Sequence, residues 1–420
     1  MMLAKESILP GISWAKCILL SFVMAVTVSV YGLLEPYTAP FWKANGLSTL
    51  EINIISSCAL LTGLGVQPLL GKLSDKWDAR RPVMFISGIA AASAMAAFPY
   101  VTAPWKFFFL QAIVLNGYQY LNIVGGVIIG RLVGPDGSGD AYSKLRVYGS
   151  VGYVIVAQIS GKLLPQSAQM SVADLRPVYI FGPMFFALVA ILAWFIPDPR
   201  RGHKPNTAFA GHTSDGKHRQ SNHVPAPHLI PRYLLAFFFY QAALYGVTGN
   251  LSLYITERLH AKPSALASFF IAGVIAEIIM MVIIGRISDR FGRRPALIVA
   301  FIALPFRLLG YIFAPTPQWA AAVQAMHGLN YGIIGTVGIT LVNDCAEEHR
   351  RGSEQARLGV TASLATAVGQ WICGFILQKF GFTQMFLAMT GLSLIGVALM
   401  IFRVPETHPR FRKANISAGL

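Results

Sequence analysis

Charged residues are scarce in this chain. They make up 12% of its 420 residues, whereas 55% of the residues are hydrophobic and the mean hydropathy is +0.56. A soluble domain carries about 25% charged residues, so the chain has too few charges to cover its surface in water. We therefore expect an all-α membrane protein, in which most residues face lipid or the protein interior.

Motifs for catalysis and for cofactor binding are also lacking. The sequence contains no GxxxxGK[ST] phosphate loop, no HExxH motif and no GxGxxG after a strand, so we expect neither an enzyme nor a bound cofactor. The four cysteines form no CxxC pair and indicate neither a disulfide framework nor a zinc site. The net charge is +16, but the basic residues form no continuous stripe, which argues against a nucleic-acid partner.

Long apolar runs, by contrast, are abundant, and twelve of them approach the length of about 20 residues that a membrane-spanning helix needs. The predicted spans are 14–41, 50–70, 82–99, 105–131, 145–164, 178–196, 232–255, 264–285, 295–313, 318–343, 356–378 and 384–402. Most of the 34 Lys and Arg residues fall on the connectors of one side, which is also the side of both termini. Because basic connectors stay inside, we expect both termini to be cytoplasmic.

A decapeptide pattern occurs twice, at Gly71–Arg80 and at Gly285–Arg294. Each copy lies between two apolar runs, so the chain is predicted to consist of two similar halves, 1–196 and 232–420, each a six-helix bundle. Residues 197–231 would join them as a cytoplasmic linker. This linker is rich in histidine, but no cysteine accompanies the histidines, which favours a flexible connection over a metal-binding tract.

Three ionisable residues lie inside the predicted spans of the second half: Glu277, Arg307 and His327. A charge at the bilayer centre costs about 2.5 to 3.5 kcal/mol on insertion scales, so such groups normally face a partner or a cavity. Burial favours the uncharged forms of Glu277 and His327, whereas a nearby Arg307 stabilises the carboxylate. Helix movement that changes the Glu277–Arg307 distance would then take up or release a proton. A static ion pair that fixes helix packing is the alternative.

Further polar side chains are candidates for a hydrophilic pathway. Asn330 and Tyr331 follow His327 at i+3 and i+4 and so share its helix face. Glu35 is either a protonatable or ligand-contacting group, or an interfacial carboxylate where the first helix breaks before Pro36. The remaining candidates are Arg146, Tyr153, Asn116, Tyr120, Gln241 and Tyr245. For these residues, interfacial positioning or contact with a neighbouring helix is the alternative.

The twin Gly-x-x-x-Asp-Arg/Lys-x-x-Arg-Arg loops resemble the signature of the major facilitator superfamily of secondary transporters. The pattern includes Gly71, Asp75 and Arg80 in the first copy and Gly285, Asp289 and Arg293 in the second. The glycines are expected to permit close turns. The resemblance implies twelve transmembrane helices in two bundles that rock around a site near the bilayer midplane. It also implies a monomer in a bacterial inner membrane.

Shorter motifs resemble the group that contains lactose permease, the nucleoside–proton symporters and the phenylpropionate permeases. These motifs are Lys144–Tyr153, Ala276–Glu277, Phe306–Gly310 and Met326–Gly328. The resemblance implies proton-coupled symport of a small hydrophilic solute such as a sugar or a nucleoside. Uptake of an aromatic or other organic acid, and proton-driven efflux of drugs or metabolites, remain open.

The resemblance also implies roles for individual residues. Arg146 and Tyr153 would orient the solute, and Glu277, Arg307 and His327 would link its binding to protonation. Asn330 stands where lactose permease has the carboxylate that carries the proton. Proton coupling could therefore pass to Glu277 or Glu35, or the protein could be a uniporter.

Overall fold

The structure is a computed structural model that describes a large part of the chain. The described residues are 14–76, 79–133, 138–167, 169–196 and 226–407, without the side chains of 124–127, 129–146 and 348. The predicted linker at 197–231 lies outside this description up to residue 225, and so do the histidines that precede that residue.

The described residues fold into helices, and none of them forms a strand. The first half contains α1 (Trp14–Ala44), α2 (Thr49–Lys76), α3 (Arg80–Ala97), α4 (Pro104–Val133), α5 (Ser138–Leu163) and α6 (Val172–Leu192). The second half contains α7 (Ile230–Thr248), α8 (Pro263–Phe291), α9 (Arg293–Ile312), α10 (Pro317–Cys345), α11 (Arg351–Phe380) and α12 (Phe382–Arg403). Searched over the described part of the chain, ten of the helices are long and apolar enough to cross a membrane. The predicted all-α membrane fold is confirmed.

Several helices extend beyond the predicted apolar spans. α2 ends at Lys76 and α8 at Phe291, so Gly71 and Gly285 lie inside helices and not in close turns. At either glycine an added Cβ would meet no atom within 4 Å, so packing does not require glycine there. The turn of the second copy is made at Gly292, whose φ of +101° lies in the left-handed region that favours glycine.

Two local features of the helices differ from the prediction or go beyond it. α1 continues through Pro36 to Ala44, so the predicted break before Pro36 is wrong. Proline is tolerated in membrane helices when neighbouring groups satisfy the freed backbone carbonyl. α10 contains the π-helical segments Gly328–Gly332 and Ile334–Gly338, and another, Tyr254–Arg258, follows α7. Such segments are frequent at functional sites, and the first one contains Asn330.

The chain divides into two compact units. Of the described residues, the first unit holds those of 14–41, 58–165 and 170–196, and the second holds those of 42–57, 166–169 and 226–407. In the first unit α3 packs against α4 and α6, and in the second α7 packs against α11 and α12. The start of α2 thus belongs to the second unit. The boundaries 1–196, 197–231 and 232–420 stay a prediction.

Candidate functional site

The carboxylate of Glu277 on α8 lies beside the imidazole of His327 on α10. His327 Nε2 and Glu277 Oε2 are 3.4 Å apart, and the two side chains are 9% and 24% exposed. The helices meet closely here, because a Cβ at Gly328 would lie 2.4 Å from the carbonyl oxygen of Ala276. The His327 ring also stacks on Tyr331, with ring centroids 3.9 Å apart. Two members of the predicted trio are therefore in direct contact.

Arg307 on α9 makes a different set of contacts. Arg307 is 1% exposed, and among the described residues its guanidinium donates hydrogen bonds only to neutral oxygens. Nε donates to Tyr311 Oη at 2.9 Å, Nη1 to Asn330 Oδ1 at 3.2 Å and Nη2 to Gln324 Oε1 at 2.7 Å. Within the described part of the chain, no carboxylate lies within 4.0 Å of this guanidinium. The expected closeness of Arg307 to a carboxylate is not found; its described hydrogen bonds go to one phenol oxygen and two side-chain amide oxygens.

Tyr311 and Gln324 were missed in the sequence, although their spacing contained a signal. Tyr311 lies four residues after Arg307, and Gln324 lies three residues before His327, so each shares a helix face with a residue of the trio. The hydroxyl of Tyr311 also donates to Gln324 Oε1. Arg307 and Tyr311 of α9 are thus joined to Gln324 and Asn330 of α10.

Residues of α7 reach the same cluster. The rings of Tyr245 and Tyr331 have centroids 5.3 Å apart, and the hydroxyls of Thr248 and Tyr331 are 3.3 Å apart. Gln241, one turn before Tyr245, is buried at 7% exposure. In addition, Tyr240 Oη donates to the backbone oxygen of Asn330 at 3.3 Å. Tyr245, which was predicted to line a polar pathway, therefore lies beside the stacked His327–Tyr331 pair.

In the first unit, Glu35 and Tyr153 form a hydrogen bond between α1 and α5. Tyr153 Oη donates to Glu35 Oε2 at 2.7 Å, and Tyr153 is 3% exposed. The two helices approach at Gly32, where an added Cβ would lie 2.8 Å from the Tyr153 carbonyl oxygen. The predicted residue Arg146 lies in α5, but its side chain is outside the described residues. Tyr153 thus contacts a carboxylate on the neighbouring helix.

Asn116 on α4 joins α4 to α2. Its Nδ2 donates to Thr62 Oγ1 at 2.7 Å, and Gln67 Nε2 donates to its Oδ1 at 3.2 Å. Tyr120, one turn further along α4, is buried at 2% exposure. The contacts of Asn116 are those of an interhelical hydrogen-bond bridge, which was the alternative interpretation of this residue.

The second copy of the decapeptide forms a polar network. Arg293 Nη1 pairs with Asp289 Oδ1 at 2.5 Å, and Arg293 Nε pairs with Asp344 Oδ2 at 3.1 Å. Glu406 accepts the backbone N–H groups of Arg293 at 3.0 Å and of Arg294 at 3.1 Å. A carboxylate at the N-terminus of a helix satisfies donors that have no partner within the helix. Glu406 therefore caps α9.

Arg81, which directly follows the first copy, and Arg294 of the second copy make equivalent contacts. Arg81 Nη2 donates to the carbonyl oxygen of Ile196 at 2.5 Å, and Arg294 Nη2 donates to that of Ile401 at 2.6 Å. Both carbonyls lie near the end of the last helix of their half. Of the other residues predicted in the first copy, Asp75 is exposed and Arg80 is buried.

A reciprocal amide pair lies within the second unit. Asn53 Nδ2 donates to Asn250 Oδ1 at 2.8 Å, and Asn250 Nδ2 donates to Asn53 Oδ1 at 2.9 Å. Both side chains are buried, Asn250 at 0% and Asn53 at 2% exposure. The pair holds the start of α2 against the segment that follows α7.

The fold and these clusters together define a class of protein. Among the residues described, no group of three or more His, Cys, Asp or Glu side chains could hold a metal ion. Glu277, His327 and Arg307 instead lie within helices that are long and apolar enough to cross a membrane, and the first two are in contact. Two related halves with ionisable groups inside their spans are the construction of a secondary transporter.

Comparison with known proteins gives the family. The MFS_1-like family matches residues 17–388. The raffinose permease of Escherichia coli is 22% identical over 414 residues, which cover 90% of this chain and 91% of the permease. The nucleoside transporter NupG superposes with a TM-score of 0.69 at 16% identity, over 91% of this chain and 98% of NupG. A D-xylose–proton symporter superposes with a TM-score of 0.72 at 14% identity, over 93% of this chain and 99% of the symporter.

The chain therefore belongs to the MFS_1-like family of the major facilitator superfamily. It is a multi-pass membrane protein and a transporter, not an enzyme. The predicted resemblance to the superfamily and its twelve-helix fold are confirmed.

Proposed function

We propose that the protein is a proton-coupled symporter that takes up a small hydrophilic solute by alternating access. The observation that carries the proposal is the Glu277–His327 pair, joined at 3.4 Å between two spanning helices. A carboxylate and an imidazole in contact between spanning helices can each bind a proton, and ionisable groups inside spans are functional by default. A raffinose permease and a D-xylose–proton symporter among the similar proteins support a solute of sugar or nucleoside type.

The proposal gives each polar cluster a role. Glu277, His327 and Arg307 couple the solute to the proton, with Asn330 and Tyr245 among the solute contacts. The coupling groups lie on three different helices of the second unit, so a small change in helix packing alters all of their separations.

In the first unit, Glu35 is a second protonatable group, and Tyr153 holds it through the 2.7 Å hydrogen bond. A further proposed solute contact is Arg146, whose spacing from Tyr153 predicts that both residues share one face of α5. These assignments follow the residue spacing, since positions 146 and 153 lie two helical turns apart.

The distribution of charge in the sequence supports a proposed location. We place the protein in a bacterial inner membrane as a monomer with both termini in the cytoplasm. The basic connectors of the predicted topology lie on the side of the termini, which is the side that retains Lys and Arg.

The test uses the purified protein in vesicles that contain a pH-sensitive dye. A panel of sugars and nucleosides is added outside, and proton entry is recorded together with uptake of the labelled solute. We expect solute-dependent proton entry that Glu277→Gln reduces about tenfold or more, because the variant removes the carboxylate that contacts His327.

Glu257→Gln is the matched control, since Glu257 is an exposed carboxylate at the end of the α7 segment. It should leave uptake unchanged. Solute uptake without proton entry would identify a uniporter, and the coupling part of the proposal would then be wrong.

A further inference from the structure

Arg307 is a buried cation whose contacts are all neutral. Its three hydrogen bonds go to a phenol oxygen and to the amide oxygens of Asn330 and Gln324. No carboxylate of the described chain lies within 4.0 Å of the guanidinium. Removing a guanidinium from water is unfavourable unless an anion pairs with it. The second unit thus keeps a cation at 1% exposure without a counter-ion in contact.

The guanidinium also retains hydrogen-bonding capacity. It has five N–H donors, and the described contacts use one on each nitrogen. One N–H therefore remains on Nη1 and one on Nη2. A carboxylate accepts two parallel hydrogen bonds from these two nitrogens, in the bidentate geometry for which Arg is best suited.

The Glu277–His327 pair lies next to this cluster. Gly273 of α8 packs against both, since its added Cβ would lie 2.8 Å from Gln324 Nε2 and 3.2 Å from His327 Cγ. Glu277 is 24% exposed, so the pair is the more open edge of the cluster. The Nδ1 atom of His327 is buried and has no hydrogen-bond partner among the described residues. His327 therefore has a buried nitrogen without a described partner, on the same helix whose Gln324 and Asn330 accept hydrogen bonds from Arg307.

Aromatic rings lie next to His327. His327 and Tyr331 stack with centroids 3.9 Å apart, and Tyr245 lies 5.3 Å from Tyr331. These rings offer apolar faces to an organic solute, which an inorganic anion does not use. The combination of an unpaired guanidinium with aromatic faces favours an organic carboxylate.

We propose that the transported solute carries one carboxylate and that Arg307 binds this group, with Asn330 and Gln324 holding the guanidinium in place. This proposal rests on the proposed function and narrows its substrate to small hydrophilic monocarboxylates, such as a sugar acid. A proton that enters with the bound anion compensates its negative charge, so anion and proton are transported together.

The test compares matched solutes on the purified wild-type protein. D-glucuronate is paired with D-glucose and benzoate with benzyl alcohol, and chloride and sulfate serve as inorganic probes. Thermal unfolding and competition for uptake in vesicles are measured. We expect the acid of at least one pair to stabilise the protein and to be taken up about tenfold better or more than its neutral partner. The inorganic anions should have no such effect.

Arg307→Gln should remove this preference, and Arg307→Lys should keep part of it because the charge remains. Arg403→Gln, an exposed arginine at the end of α12, is the control and should keep the full preference. If Arg307→Gln does not fold, the matched solutes decide the question on the wild-type protein.

The outcomes separate the two proposals. Uptake of a neutral solute that equals or exceeds that of its acid, or a panel in which no carboxylate stabilises the protein, overturns the monocarboxylate proposal and leaves the symporter standing. Vesicles that take up no solute of any kind overturn the symporter itself.

Discussion

Asn330 places an amide oxygen 3.2 Å from Arg307 Nη1 and is itself inaccessible to solvent. Its Nδ2 donates to the carbonyl oxygen of Ala300 at 3.1 Å, which fixes the orientation of the amide. An aspartate here would have almost the same shape but would neutralise the guanidinium. At the scale of a single residue, the cluster around Arg307 keeps its positive charge because residue 330 is an asparagine and not an aspartate.

Asn330→Asp tests this dependence. The new carboxylate would pair with Arg307, but one of its oxygens would face the carbonyl oxygen of Ala300 in place of the amide donor, so we expect a folded protein whose thermal midpoint lies within about 2 °C of the wild type. Uptake of a carboxylate solute should fall about tenfold or more, because the counter-ion now comes from the protein. The matched variant Asn330→Ala should instead lower the midpoint. Carboxylate uptake that is unchanged in Asn330→Asp would contradict the role of Arg307.

Pairs of glycines set how closely the helices pack. An added Cβ at Gly369 of α11 would lie 2.0 Å from the carbonyl oxygen of Ala242, and one at Gly246 of α7 would lie 2.7 Å from that of Gly369. Small residues at such contacts let helix backbones approach in a membrane, where no hydrophobic force drives them together. At the scale of the element, α7 and α11 are joined by backbone contact.

Gly369→Ala should therefore destabilise the protein. The added methyl group has no space, and overpacking costs about 1 to 3 kcal/mol. Gly359→Ala is the matched control on the same helix, because its Cβ would meet nothing within 4 Å. We expect it to be neutral or stabilising by about 0.5 to 1 kcal/mol. Thermal unfolding of both variants in the same detergent decides the matter, and equal midpoints would refute the packing argument.

The helices themselves could be predicted from hydropathy, but their ends could not. Gly71 and Gly285 mark the ends of apolar runs, yet backbone hydrogen bonding continues the helix into the polar segment. Pro36 was expected to end α1 because proline lacks an N–H, although a spanning helix tolerates it. The π-helical turn at Gly328–Gly332 has no counterpart in hydropathy, and both of its terminal glycines lie close to α8.

Two compact units, each built around its own helix contacts, account for the whole described molecule. The duplicated decapeptide predicted the superfamily, and the Glu277–His327 contact agrees with the grouping of charged residues in the sequence. The contacts of Arg307 could not be predicted. Several acceptors could bind the Arg307 guanidinium. Only the packing of the helices determines that the amides of Asn330 and Gln324 are nearer to it than the carboxylate of Glu277.

At the scale of the whole molecule, symport of a monocarboxylate with one proton predicts how the uptake rate depends on the membrane potential. A monocarboxylate that enters with one proton moves no net charge, so its uptake should follow the pH gradient and not the membrane potential. A neutral solute with one proton would gain about 2.3 kcal/mol per 100 mV of inside-negative potential. Uptake is measured in vesicles whose potential is clamped by a potassium ionophore. A rate that rises with inside-negative potential would contradict the expectation.

The reciprocal bond between Asn53 and Asn250 behaves differently from the charged pairs. It joins two uncharged amides at 2.8 and 2.9 Å, both away from solvent. Neither amide gains or loses a proton at physiological pH, and neither responds to the membrane field as an ion does. This bond therefore keeps the same strength on the acidic and the alkaline side of a cell's pH range.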